Sequence, residues 1–106
     1  MEPRIDLALK IMDRGLEEPL LVSRISERLN LRVSRFEHLF KAETGQTFKT
    51  QLREARMEKA KKLLLDPTRC IKEVASAVGY GYARNFTRDF AKCNGKPPSR
   101  YRRPSP

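Results

Sequence analysis

Apolar and glycine positions in the first half of the chain recur about one half-length later. Val22, Ile25 and Leu29 correspond to Ile71, Val74 and Val78 at an offset of 49 residues, and Phe36, Phe40 and Gly45 to Phe86, Phe90 and Gly95 at an offset of 50. The extra residue falls between the two sets, where Asn30-Leu31-Arg32 faces Gly79-Tyr80-Gly81-Tyr82. Asn and Gly both tolerate positive φ, which a tight turn between two helices requires. A repeat of apolar spacings of three and four, broken at such a turn, describes two helix–turn–helix units.

Punctuation by Gly and Pro divides the whole chain in the same way. The first helix is expected over Pro3–Arg14, with Ile5, Ala8, Leu9 and Met12 inward and Gly15 as a left-handed stop. A second is expected over Val22–Leu29, and a third over Val33–Thr44, burying Phe36, Leu39 and Phe40. The fourth, Thr47–Asp66, carries Phe48, Leu52, Ala55, Ala60, Leu63 and Leu64 along one broad side and closes at Pro67. It would extend roughly 27–30 Å. A fifth runs over Ile71–Val78, a sixth over Tyr82–Asn94 with Phe86 and Phe90 inward, and a last turn begins near Pro97. No stretch alternates as a strand does, so the fold is all-α with about seven helices. The subdomain boundaries are 1–45, 46–66 for a linker helix, and 67–106.

Charge narrows the function. The 106 residues hold a net charge of +10, unevenly placed. Residues 1–50 carry nine Lys/Arg against eight acids, a net of +1, and residues 51–106 carry fourteen against five, a net of +9. Like charge gathered this way repels itself, and a phosphate backbone offsets the repulsion. No apolar run reaches the roughly 20 residues of a membrane span, and the first apolar stretch is broken by Asp6 and Lys10, unlike a secretory signal. Cys70 and Cys93 stand far apart and His38 is the sole histidine, which excludes a Cys/His zinc site and leaves no nucleophile–base pair for catalysis. The expectation is a non-enzymatic protein without cofactor or membrane partner, working in a reducing cytoplasm.

In each unit the second helix is the one suited to the major groove. At 100° per residue, burying Phe36, Leu39 and Phe40 turns Ser34, His38 and Lys41 outward, flanked by Arg35 and Glu37. In the second unit Arg84 and Arg88 point outward one turn apart, flanked by Asn85, Thr87 and Lys92. Arginine pairs bidentately with guanine O6 and N7, at about 1–3 kcal/mol of discrimination. Glu37 either accepts from cytosine N4 or pairs with an arginine such as Arg35. Ser34 either caps the third helix or contacts a base. His38 either touches DNA or is simply exposed. Charge alone also fits a sequence-indifferent basic nucleic-acid-binding protein, the alternative to a specific reader. A helical module that binds only protein is a further, weaker alternative.

The motif set is Ile25-Ser26 through Leu31; Phe36-x-x-Leu39-Phe40-Lys41-x-x-x-Gly45; Arg56-x-x-x-Ala60-x-x-Leu63-Leu64; Ile71-x-x-Val74-Ala75-x-x-x-Gly79-Tyr80; Phe86-Thr87-Arg88-x-Phe90; and Gly95-x-Pro97-Pro98-x-x-Tyr101-Arg102. In this order and spacing it resembles the DNA-binding domain of the AraC/XylS family of bacterial transcription regulators, over about Ile5 to Arg102. The resemblance implies two units on a shared linker helix, bound to successive major-groove segments on one side of double-stranded DNA at an asymmetric site. It places base contacts on Ser34, Glu37, His38, Arg84, Thr87 and Arg88, and phosphate contacts near Thr47 and Ser99. It further implies contact with RNA polymerase where such a protein activates, and either a sensor or dimerisation domain outside this chain or a stand-alone binder. Three positions depart from the family pattern: Ser26 replaces the usual Ala, Asn30 the usual Gly, and Arg32-Val33 the usual polar cap before the first recognition helix.

Overall fold

The computed structural model describes residues 1–19 and 21–102; Leu20, in the expected first subdomain, and residues 103–106, the end of the expected second, lie outside the described residues. Among the described residues there are seven helices and no strand, as the periodicity requires: α1 (Pro3–Arg14), α2 (Leu21–Arg28), α3 (Val33–Thr44), α4 (Phe48–Leu64), α5 (Ile71–Ala77), α6 (Ala83–Asn94) and α7 (Pro98–Arg102). The packing divides into two units, residues 1–55 and 56–106, and the division falls inside α4.

In the first unit α1 starts on Pro3, whose missing N–H costs nothing at a helix start, and the Glu2 carboxylate accepts the Arg4 N–H at 2.7 Å. Its inward stripe of Ile5, Ala8 and Met12 meets Leu16, Leu21, Ile25, Phe36, Phe40 and Phe48 in one sealed core. The three phenyl rings meet tilted or edge-on, with centroids 5.3–5.8 Å apart, the arrangement that the ring quadrupole favours. Leu9 and Leu39 are half-buried against this core. Gly15 does not take the left-handed conformation expected of it: its φ is −127°. Its N–H tightens the last turn by bonding Met12 O at 3.1 Å, and its carbonyl accepts from Glu18 N at 3.0 Å. The chain thus turns on without a reversal, carrying Leu16 into the core.

The second unit repeats the plan. Met57, Ala60 and Leu64 of α4, Val74 and Ala75 of α5, Val78, and Phe86 and Phe90 of α6 form its core. A file of rings, Tyr80–Phe86–Phe90–Tyr101, runs through it with centroid spacings of 5.5, 5.7 and 5.4 Å.

The two turns are the same object. Asn30 has φ 61° and Gly79 φ 98°, and each gives its N–H to a carbonyl three residues back, Glu27 O or Ser76 O, at 3.1 Å. The next residue reaches five back: Leu31 N to Ser26 O and Tyr80 N to Ala75 O, both 2.9 Å. This is the Schellman closure of a helix, which needs one left-handed residue. Gly45 and Gly95 then end α3 and α6 alike, at φ 82° and 78°. Ser26, at the place of Ala75, is buried and satisfies its hydroxyl on Ser23 O at 3.0 Å.

Helix α4 is shorter than the sequence suggested. Thr47 stands before it as a cap, its hydroxyl accepting the Thr50 N–H at 3.1 Å. The far end stops at Leu64 because Asp66 folds a side-chain turn, accepting from Thr68 N at 2.9 Å and from the Thr68 hydroxyl at 2.7 Å. Arg102 covers the carbonyls left over, reaching Leu64 O at 3.1 Å and Asp66 O at 3.3 Å. The apolar residues of α4 serve two cores rather than one. Within it Phe48, Leu52 and Ala55 feed the first core, and Met57, Ala60, Leu63 and Leu64 feed the second.

Candidate nucleic-acid interface

In the first unit α3 begins at Val33, with Arg32 as a cap residue of extended backbone that makes no side-chain bond. Ser34 is therefore the second helical residue, and its expected capping alternative fails because the chain enters the helix two residues earlier. Burial of Phe36 and Phe40 leaves Ser34, Arg35, Glu37, His38 and Lys41 exposed. The orienting ion pair between Glu37 and Arg35 is absent among the described residues. Glu37, His38 and Lys41 line one open hollow with Ala42 and with Thr47 at the head of α4. The structure thus brings together four residues that the sequence singled out, and in doing so places a carboxylate, an imidazole, an ammonium and a hydroxyl side by side.

In the second unit α6 presents Arg84 and Arg88 one turn apart, both exposed, with Lys92 exposed a turn further. Asn85 and Thr87 are half-buried at the edges of that face. Ser99 is exposed on α7, where Pro98 is buried. Helix α6 starts after Tyr82, which is extended, makes no side-chain cap and is 69% exposed.

Two residues beside this face carry a role that the sequence does not give them. Tyr80 donates its hydroxyl to Asp89 Oδ2 at 2.8 Å, and Asp89 Oδ1 lies 3.5 Å from Arg88 Nε. Burial, then the bond to Asp89, pushes the Tyr80 pKa well above its ordinary value, so the phenol keeps its proton. The Arg56 guanidinium carbon sits 5.9 Å from the Tyr80 ring centroid, and half-burial lowers the Arg56 pKa from its ordinary value. A signal was available: Asp89 is the sole acid after Glu73, in a segment otherwise basic or neutral.

Paired helix–turn–helix units, each with its second helix sealed inside and polar outside, define a nucleic-acid-binding domain. Residues 25–104 match the family model described as a helix-turn-helix domain. The chain belongs to that family, and within it is a DNA-binding domain of the AraC/XylS type. It is similar to the C-terminal domain of the two-component response regulator yesN from Fusobacterium nucleatum subsp. nucleatum ATCC 25586: TM-score 0.87 and 31% identity, covering 92% of this chain and 96% of that one. The C-terminal domain of AraT, a response regulator from Geobacillus stearothermophilus, gives a TM-score of 0.89 and 31% identity over 95% of this chain and 84% of that one. The arabinose operon regulatory protein of Salmonella typhimurium (strain LT2) is 32% identical over 104 residues, 96% of this chain and 37% of the relative. The chain spans about a third of the length of this relative and of others such as the Msm operon regulatory protein of Streptococcus mutans.

Proposed function

We infer that the domain reads one specific, asymmetric stretch of double-stranded DNA for a bacterial transcription regulator, with α3 and α6 each laid in the major groove. The observation that carries this reading is the repeated turn. The same left-handed residue and the same pair of backbone bonds precede two helices whose inner faces are sealed by phenylalanine. The outer faces differ in chemistry, so the two half-sites differ in sequence. On α6, Arg84 and Arg88 contact guanine, and Thr87 offers its methyl to thymine. On α3, Glu37 accepts from cytosine N4, with Ser34 and His38 beside it. Arg35, Lys41, Thr47, Asn85, Lys92 and Ser99 take phosphates or flank the contacts, fixing register rather than sequence. Where the regulator activates transcription, contact with RNA polymerase and a sensing or dimerising domain beyond these residues complete the reading.

Selection of bound duplexes from a random pool tests it. Two short recurrent blocks about one helical turn apart are expected. A pool that stays random, with binding lost to an excess of unrelated duplex, would replace specific recognition by charge alone.

A further inference from the structure

An acid on a DNA-facing helix opposes the phosphates it approaches, and Asp89 is the only acid of α6. Its carboxylate lies between a hydrogen-bond donor and a cation. Oδ2 accepts the Tyr80 hydroxyl at 2.8 Å, and Oδ1 faces Arg88 Nε at 3.5 Å. Tyr80 is itself held, with its ring edge-on to Phe86 at 5.5 Å and the Arg56 guanidinium over its face. The Arg88 side chain remains 60% exposed while its Nε edge lies at ion-pair distance from Asp89. An arginine tethered through Nε keeps its two terminal nitrogens free as a forward-facing pair of donors.

We propose that Tyr80 and Asp89 are positioning residues that fix the Arg88 guanidinium end-on, so that its terminal nitrogens pair with guanine O6 and N7 and the preference for guanine depends on both. The proposal rests on Arg88 reading a base. A free arginine samples many rotamers and can exchange a base edge for a nearby phosphate. A tethered one loses less freedom on binding, and its charge is partly offset, which weakens its attraction to phosphate relative to guanine.

The test uses the intact domain and the duplex recovered by selection. Affinities are measured for that duplex and for one changed at the base pair whose preference Arg88→Ala abolishes. Asp89→Asn removes a negative charge, so as a mere surface acid it would tighten binding to both duplexes equally. As a positioning residue it lowers the ratio of the two affinities about three- to tenfold, even as binding to random DNA strengthens. Tyr80→Phe, which keeps the ring packing and changes no charge, lowers the ratio in the same direction. In the Arg88→Ala background, Asp89→Asn leaves base preferences unaltered. An unchanged ratio in Asp89→Asn with Arg88→Ala still relaxing one position overturns the positioning role alone. If Arg88→Ala relaxes no position, base reading by Arg88 falls and the positioning role with it.

Discussion

Arg84 and Arg88 sit where helical arithmetic puts them, opposite Phe86 and Phe90. Each should therefore behave as a reader rather than a support. Arg84→Ala and Arg88→Ala are expected to weaken binding to the selected duplex by about 1–3 kcal/mol and relax one base position each, measured by titration against single-position variants. Equal losses on selected and random DNA would reduce both to phosphate contacts. What arithmetic did not give was the neighbour that steadies one of them: Tyr80 meets Asp89 only because the turn after α5 swings it beside α6, and no periodicity encodes that. A second residue-scale consequence concerns Asp66. Hydrogen bonds from the Thr68 hydroxyl and amide, with Arg69 and Arg102 nearby, hold its pKa below the ordinary carboxylate value. A group depressed on folding stabilises the fold above its unfolded pKa, about 3.9, and loses that stabilisation as pH falls through the depressed value. Melting temperature followed from pH 6 downward should drop less steeply in Asp66→Asn than in the parent, within that acid window.

The helices themselves are legible almost to the residue, because stripes at three and four and the stops at Gly15, Gly45 and Gly95 all agree. The ends that were misjudged share a cause. At Thr47 and Asp66 the boundary of α4 is decided by which side chain satisfies an orphan backbone group, and this depends on the fold around it. A tally of apolar residues along α4 does not say which core each one serves. The turns make a prediction at this scale. Gly79 at φ 98° should not accept a branched side chain: Gly79→Val is expected to destabilise the second unit by at least about 1–2 kcal/mol. Asn30→Gly, at φ 61°, should be nearly neutral, since both residues tolerate that region. Phe86→Ala should cost about 3–5 kcal/mol by emptying a fully buried ring site. Chemical denaturation of each variant checks all three, and an unchanged midpoint in Phe86→Ala would place that ring outside the core.

Across the molecule, charge and packing are distributed differently. The basic excess belongs to residues 51–106, whereas apolar packing is shared between two separate clusters. The phosphate term should therefore respond mainly to substitutions in the second half, yet Lys41, exposed in the first, is expected to contribute its own share. Lys41→Ala should lower the slope of log affinity against log salt by about one and leave base preference alone. A change in sequence preference instead would move Lys41 among the base readers. The separate clusters have a consequence for how such a chain can be altered. Effects at sites with no shared neighbours add rather than compound, so one helix can be re-lettered, with whatever repacking it demands, while its counterpart keeps its old vocabulary. Where each unit reads its own half-site, as proposed, new operators can be acquired by halves, each intermediate still anchored by the lobe left untouched.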